Sequence, residues 1–233
     1  GYGGAIHSNR QLEITNGLFV NNFVENEGNN DRNNLMGGAI NVDVGSWDNN
    51  LQQYVPGDSR IINSTFDGNY VNRKDEGPSW GGTISHGLYS GRNSKTLIFN
   101  TIVSNSGVYK DGSAYKYKNN NTAHGPIIGA QDEYFKLYID YSNIQGSDQS
   151  DWDGAGNQVY DIDPGYKNKS NQDYSLSDNS PIIGMGSLSW NDWGLNAPNT
   201  DITGASRPSP ANSNPDIGVY ESPRSAMLGP LPP

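Results

Sequence analysis

The chain contains no cysteine. Disulfides and thiolate chemistry are excluded, and the redox compartment is left open. Positive charge is scarce as well: 15 Lys and Arg stand against 25 Asp and Glu, a formal net charge of −10. The cations form no extended run, so the sequence lacks both a basic face for nucleic acid and a cationic stripe for anionic membranes. No apolar stretch approaches the roughly 20 residues of a membrane span. The sequence opens on Gly1-Tyr2-Gly3-Gly4, inside a repeat and without initiator Met or signal peptide, which reads as a processed or excised piece. Only 33% of residues are apolar, a content that would mean disorder if they were scattered.

They are instead gathered into short periodic runs. Gly3-Gly4-Ala5-Ile6 returns as Gly37-Gly38-Ala39-Ile40, as Gly81-Gly82-Thr83-Ile84 and, more loosely, as Gly125-Pro126-Ile127-Ile128. A second motif alternates with it: Ile14-Thr15-Asn16-Gly17-Leu18-Phe19, Ile61-Ile62-Asn63-Ser64-Thr65-Phe66, Ile98-Phe99-Asn100-Thr101-Ile102-Val103 and Ile139-Asp140-Tyr141-Ser142-Asn143-Ile144. Two copies continue into Phe-x-x-Asn, at Phe19 to Asn22 and Phe66 to Asn69. Self-similarity at this spacing is the signature of a solenoid.

Parity assigns the faces. Gly38, Ile40, Val42 and Val44 alternate with Ala39, Asn41 and Asp43, which predicts strands that bury Ile6, Ile40, Ile84 and Ile128. His7, Asn41, Ser85 and Gly129 form the outward row, with no shared chemistry. In the second motif the recurrent apolar residues are an odd number apart, so the backbone must bend between them. Asn16, Asn63 and Asn100 sit at the bend, and 31 Asn beside 29 Gly suit turns that need positive φ. Stacked Asn side chains can exchange amide hydrogen bonds along a ladder. At least three strand segments per coil, stacked about 4.8 Å apart, make an all-β right-handed parallel β-helix. A β-propeller is the competing architecture. Its hairpins would need Asn-Gly or Asp-Gly turns in repeating register, and the four such dipeptides here have none.

The expected organisation is residues 1–150 as β-helix coils with loops inserted at Glu25 to Met36, Asp43 to Ser59, Asn72 to Trp80 and Val108 to His124. Residues 151–221 follow as an irregular region, expected to cover the open end of the solenoid, and residues 222–233 as a Pro-rich tail. The first coil has no preceding neighbour, so upstream coils or a partner chain are expected at that edge.

The paired Gly-Gly-Ala-Ile and Phe-x-x-Asn motifs, over roughly residues 1–145, resemble the repeat of polymorphic outer-membrane-type proteins and related right-handed β-helix surface proteins. The run Asp161-Ile162-Asp163-Pro164, Tyr174-Ser175-Leu176, Ser180-Pro181-Ile182-Ile183-Gly184, Asp201-Ile202-Thr203-Gly204, Arg207-Pro208 and Asp216-Ile217-Gly218-Val219-Tyr220-Glu221 is similar to the choice-of-anchor Q domain. The resemblance implies a secreted bacterial β-helix protein, commonly followed by an anchoring module. This chain departs from that pattern by ending soon after Glu221 with no recognisable anchor.

Chemistry is sparse. The acid pairs Asp75-Glu76 and Asp132-Glu133 read as solvated charge, and no acids recur at one strand position as a glycosidase groove would require. His7, His86 and His124 occupy different places relative to the Gly-Gly motif and are not expected to converge. Asp151 and Asp153, with Asn157 after a Gly turn, are a partial calcium loop, with a plain Asx turn as the alternative. Trp47, Trp80, Tyr115 and Tyr117 lie in inserted loops, where they either stack on sugar rings or pin the loops to the surface. The expected role is a secreted or surface-displayed structural, adhesive or partner-binding module, whose ligand is a polysaccharide or a cell-surface protein. A polysaccharide lyase or glycoside hydrolase is the competing class.

Overall fold

A computed structural model of the chain describes residues 2–8, 11–26, 35–42, 46–55, 57–75, 77, 79–86, 94–114, 128–130, 136–146 and 158–223. Among these the fold is all-β, with parallel sheets and no α-helix.

Strand order follows repeat order. The first sheet carries Ile6–Ser8, Ile40–Val42, Ile84–His86 and Ile128–Ala130, with Ile6, Ile40, Ile84 and Ile128 in register. The second carries Glu13–Thr15, Asp58–Ile62, Lys95–Phe99 and Lys136–Asp140, which aligns Ile14, Ile61, Ile98 and Ile139. The third holds Leu18–Val20, Thr65–Asp67, Ile102–Ser104 and Ser142–Ile144, and Val159–Tyr160 extends it by one strand. A fourth, which the sequence does not announce, holds Phe23–Glu25, Tyr70–Arg73 and Gly107–Lys110, the last turning back as a hairpin into Ser113–Ala114. Leu35–Met36 and Ser79–Trp80 pair as a short fifth. The first four sheets thus grow by one parallel strand per repeat. The loop between the first and second sheets of the second repeat is not featureless, since Ser46–Asp48 and Gln53–Val55 pair there as a hairpin.

Side chains from the first three sheets meet in one core, where Ile40, Ile61, Phe66, Ile98, Val103 and Ile139 are fully buried. Val24, Leu35, Val71 and Val108 form a smaller core beneath the fourth sheet.

The corners are made by left-handed residues that recur with the repeat. Asn16, Asn63 and Asn100 have φ of 54°, 44° and 50°, and Tyr141 takes the same place in the fourth repeat at 46°. Asn21, Gly68, Asn105 and Gly146 make the next corner, between 50° and 71°. Asn tolerates this region better than other non-glycine residues because its short amide bonds locally. The residue after the first corner closes a second ladder. Ser64, Thr101 and Ser142 each donate a hydroxyl to the carbonyl two residues back and accept an N–H from the preceding repeat, from Gly17, Ser64 and Thr101 respectively. Glycine is obligatory at Gly37, which has φ of 63° and whose Cβ would collide with the Ile40 carbonyl.

Residues 158–223 lie along the flank of the sheets. Leu176, Ile182 and Ile217 pack with Ile102 on the outside of the third sheet, and Trp190 and Leu195 pack with Ile62, Leu97 and Phe99 on the outside of the second. A short antiparallel pair, Tyr166–Asn168 with Asp173–Leu176, and a second, Ser189–Trp190 with Leu195–Asn196, shape this strap. At the end itself, among the described residues, Val159–Tyr160 extends one edge.

Candidate functional site

The strap is fastened by asparagines of the repeats, three at the corners and one, Asn143, on the third sheet. Asn16 donates to the Thr200 carbonyl and accepts from the Arg207 guanidinium at 2.8 Å. Asn63 donates to the Asp216 and Gly218 carbonyls. Asn100 and Asn143 each form a two-bond pair with one strap peptide, at Ser187 and Ile162. Only Asn63 and Asn100 are bonded directly to each other along the expected ladder, at 3.2 Å.

Behind these bonds lies an enclosed charge cluster. Arg207 Nε donates to Glu221 at 3.0 Å with both side chains inaccessible to solvent, and its other nitrogens reach Asn16 and the Gly218 carbonyl. Asp216 accepts the N–H groups of Gly184 and Ser222, both at 2.7 Å. Burial, then the charge of Glu221, push the Asp216 pKa up to about 7. Burial also raises that of Glu221, against the bonds it accepts from Ser209, Asp216 and Arg207. Asp201 behaves oppositely. Burial pushes it up, but bonds from Thr203, Glu221 and Ala205 outweigh burial and hold it below the usual carboxylate range. These are described carboxylates that the fold brings together, and their acceptor oxygens are spent on the strap.

Two further buried ions are also structural. Asp67 on the third sheet is inaccessible, accepts from Ser104 and Asn105, and has Lys169 Nζ at 2.7 Å. The Tyr166 hydroxyl joins Ser104 at 3.0 Å, and burial raises its pKa. Arg73 is fully buried and bonds Asp75 at 2.7 Å, so Asp75 is not the solvated charge expected of it. Glu76 lies outside the described residues.

The row expected to face outward from the first sheet is connected, and its members Asn41 and Ser85 are covered while His7 stays exposed. Asn41 and Ser85 are both fully buried. Ser85 donates to Asn41 Oδ1, and Asn41 Nδ2 lies 2.9 Å from Nδ1 of His7. A polar row can be buried when each member satisfies the next. His86 aligns with Val42 and Ser8, one row away from His7.

The fourth sheet is different. Its outer face presents Phe23, which is 52% exposed, stacked on Tyr70 at 5.2 Å and 8°, with Tyr109 meeting Tyr70 edge-on at 6.1 Å and 75°. Glu25, Asn72 and Tyr109 form the adjacent row, where Asn72 Nδ2 donates to Glu25 at 3.2 Å. Partial burial, then the charge of Glu25 and a hydrogen bond to it, raise the Tyr70 hydroxyl pKa. The signal for this face was present in the sequence, since an aromatic directly follows each Phe-x-x-Asn, as Phe23 after Asn22 and Tyr70 after Asn69.

Of the loop aromatics, Trp47 is in Ser46–Asp48 opposite Tyr54, and Trp80 is in Ser79–Trp80 in register with Met36. Tyr115 and Tyr117, the calcium candidates Asp151, Asp153 and Asn157, and also His124, Asp132 and Glu133, lie outside the described residues. Among the described residues no three His, Cys, Asp or Glu side chains are grouped to hold a metal ion, and no helix is long and apolar enough to cross a membrane. Comparison of the chain with protein-family models, with curated proteins and with solved structures finds no match.

Proposed function

We propose that the chain is a right-handed parallel β-helix module of a secreted or cell-surface bacterial protein, with a structural and adhesive role. The winding is supported by parallel sheets whose strand order is the repeat order. Crossovers between parallel strands are right-handed in all but a few per cent of cases. The surface setting rests on the acidic, Asn-rich, cysteine-free composition and on the repeat motifs.

One observation carries the adhesive reading. The enclosed ionisable groups Arg207, Glu221, Asp216, Asp67 and Arg73 hold the chain to itself, while the fourth sheet offers an open aromatic and polar face. A glycosidase needs two carboxylates facing a substrate. Asp216 and Glu221 instead face backbone N–H groups and Arg207. A further repeat of the same kind, from this protein or a partner, would continue the ladders at the first repeat, whose strands pair on one side only among the described residues.

Incubation with a panel of purified polysaccharides tests the role. The expected outcome is retention without release of reducing ends or unsaturated products. Sustained product formation would replace the adhesive reading with the enzymatic one.

A further inference from the structure

We propose that the outer face of the fourth sheet, centred on the Tyr109 ring, is a binding site for an uncharged polysaccharide chain. The site supplies the adhesive part of the function proposed above and rests on it.

Gly107 shapes the platform. A Cβ on Gly107 would lie 3.1 Å from the Tyr109 hydroxyl oxygen and 3.2 and 3.4 Å from two ring carbons. The ring therefore leans over a strand position that has no side chain. The 75° crossing with Tyr70 agrees, because a ring continuing the Phe23–Tyr70 stack would have been near-parallel and would have presented an edge. Phe23 ends the stack among the described residues and is 52% exposed.

Sugar rings pair an apolar face of C–H groups with an equatorial rim of hydroxyls. An aromatic face takes the first, and fixed polar groups beside it take the second. Here the rim partners are the Glu25 carboxylate and the Asn72 amide, already tied to each other at 3.2 Å, and the Tyr70 hydroxyl, on which Glu25 acts electrostatically. Together they provide both donors and acceptors, as hydroxyl recognition requires. Three strands place Phe23 and Tyr109 about 10 Å apart along the stacking direction, so the face suits an extended chain rather than a single sugar.

Charge decides the class. Glu25 stands within the rim, and the chain carries a formal −10. Uronate or sulfate groups would meet repulsion at close and long range, whereas neutral sugars would not.

Calorimetric titration of the full chain with gluco-oligosaccharides, N-acetylated chito-oligosaccharides and oligogalacturonides provides the test. A neutral oligomer is expected to bind, Tyr109→Ala to weaken it roughly tenfold or more, and Tyr109→Phe to retain most of the affinity. Gly107→Val, which lifts the ring, is expected to resemble Tyr109→Ala. Equal binding by wild type and a Tyr109→Ala variant of unchanged melting temperature would overturn the site. So would failure of every neutral oligomer to bind, and preference for oligogalacturonide would overturn the neutral class. Cleavage of a bound oligomer would overturn the non-catalytic reading and leave the site standing.

Discussion

Arg207 is the residue on which the long-range bonding of the strap converges. It joins Glu221, the Gly218 carbonyl and Asn16, a residue 191 positions away. Removing one partner of a buried ion pair leaves the other charged and unsolvated, at a cost of about 3–5 kcal/mol. Arg207→Met is therefore expected to loosen the strap by about that amount, read from the fluorescence of Trp190 and Trp193 during urea unfolding. Unchanged resistance to urea would show that the pair is not what holds the strap. At this scale much was legible in the sequence. The interior rows through Ile40 and Ile98 follow from parity, and the bends at Asn16, Asn63 and Asn100 follow from an odd spacing that no straight strand accommodates. What Asn16 and Asn63 bond to was not legible, because their partners Thr200, Arg207, Asp216 and Gly218 belong to a segment without repeats, more than 150 residues on.

At the scale of elements, the docking of the strap is expected to depend on pH through its buried carboxylates. Asp216 titrates at about 7 in place. In the unfolded chain a carboxylate of its type titrates near ~4. The docked state thus binds the proton more tightly, and docking is strongest in acid and weakens as pH rises from about 4 to about 7. Glu221, raised in the same direction, reinforces the trend. Asp201, Asp75 and Asp173 are lowered and have the opposite sign, acting only as pH falls below the ordinary carboxylate range. Urea midpoints of the Trp190 signal should accordingly be higher at pH 5 than at pH 7.5, and Asp216→Asn should flatten the difference. A midpoint that rises over that interval in the wild type would contradict the assignment. Asn41 and Ser85, covered where parity places them outward beside the exposed His7, mark the limit of reading elements from parity. Alternation tells which side of a strand a residue takes, but not whether more chain covers that side.

For the whole molecule, the repeats are unequal. Ile40 and Phe66 are fully buried, whereas their first-repeat counterparts Ile6 and Phe19 are only partly so. A strand paired on one side opens more readily than one paired on both. Amide exchange should therefore be fastest in the strands of residues 6–8, 13–15, 18–20 and 23–25 and slowest in those of residues 40–42, 58–62 and 65–67. Uniform protection across repeats in a monomeric sample would mean that the first edge is covered from within the chain.

Solenoid proteins ordinarily gain and lose repeats with little penalty, because each unit touches only its neighbours. The strap removes that freedom. It touches all four repeats, Thr200 and Arg207 at the corner Asn16, Gly218 at the corner Asn63, Ser187 at the corner Asn100 and Ile162 at Asn143 on the third sheet. Inserting or deleting a repeat among them would leave at least one mark on this ruler without its counterpart. The strap makes the number of repeats it spans a property of the fold, so that lengthening is open only beyond the segment it measures.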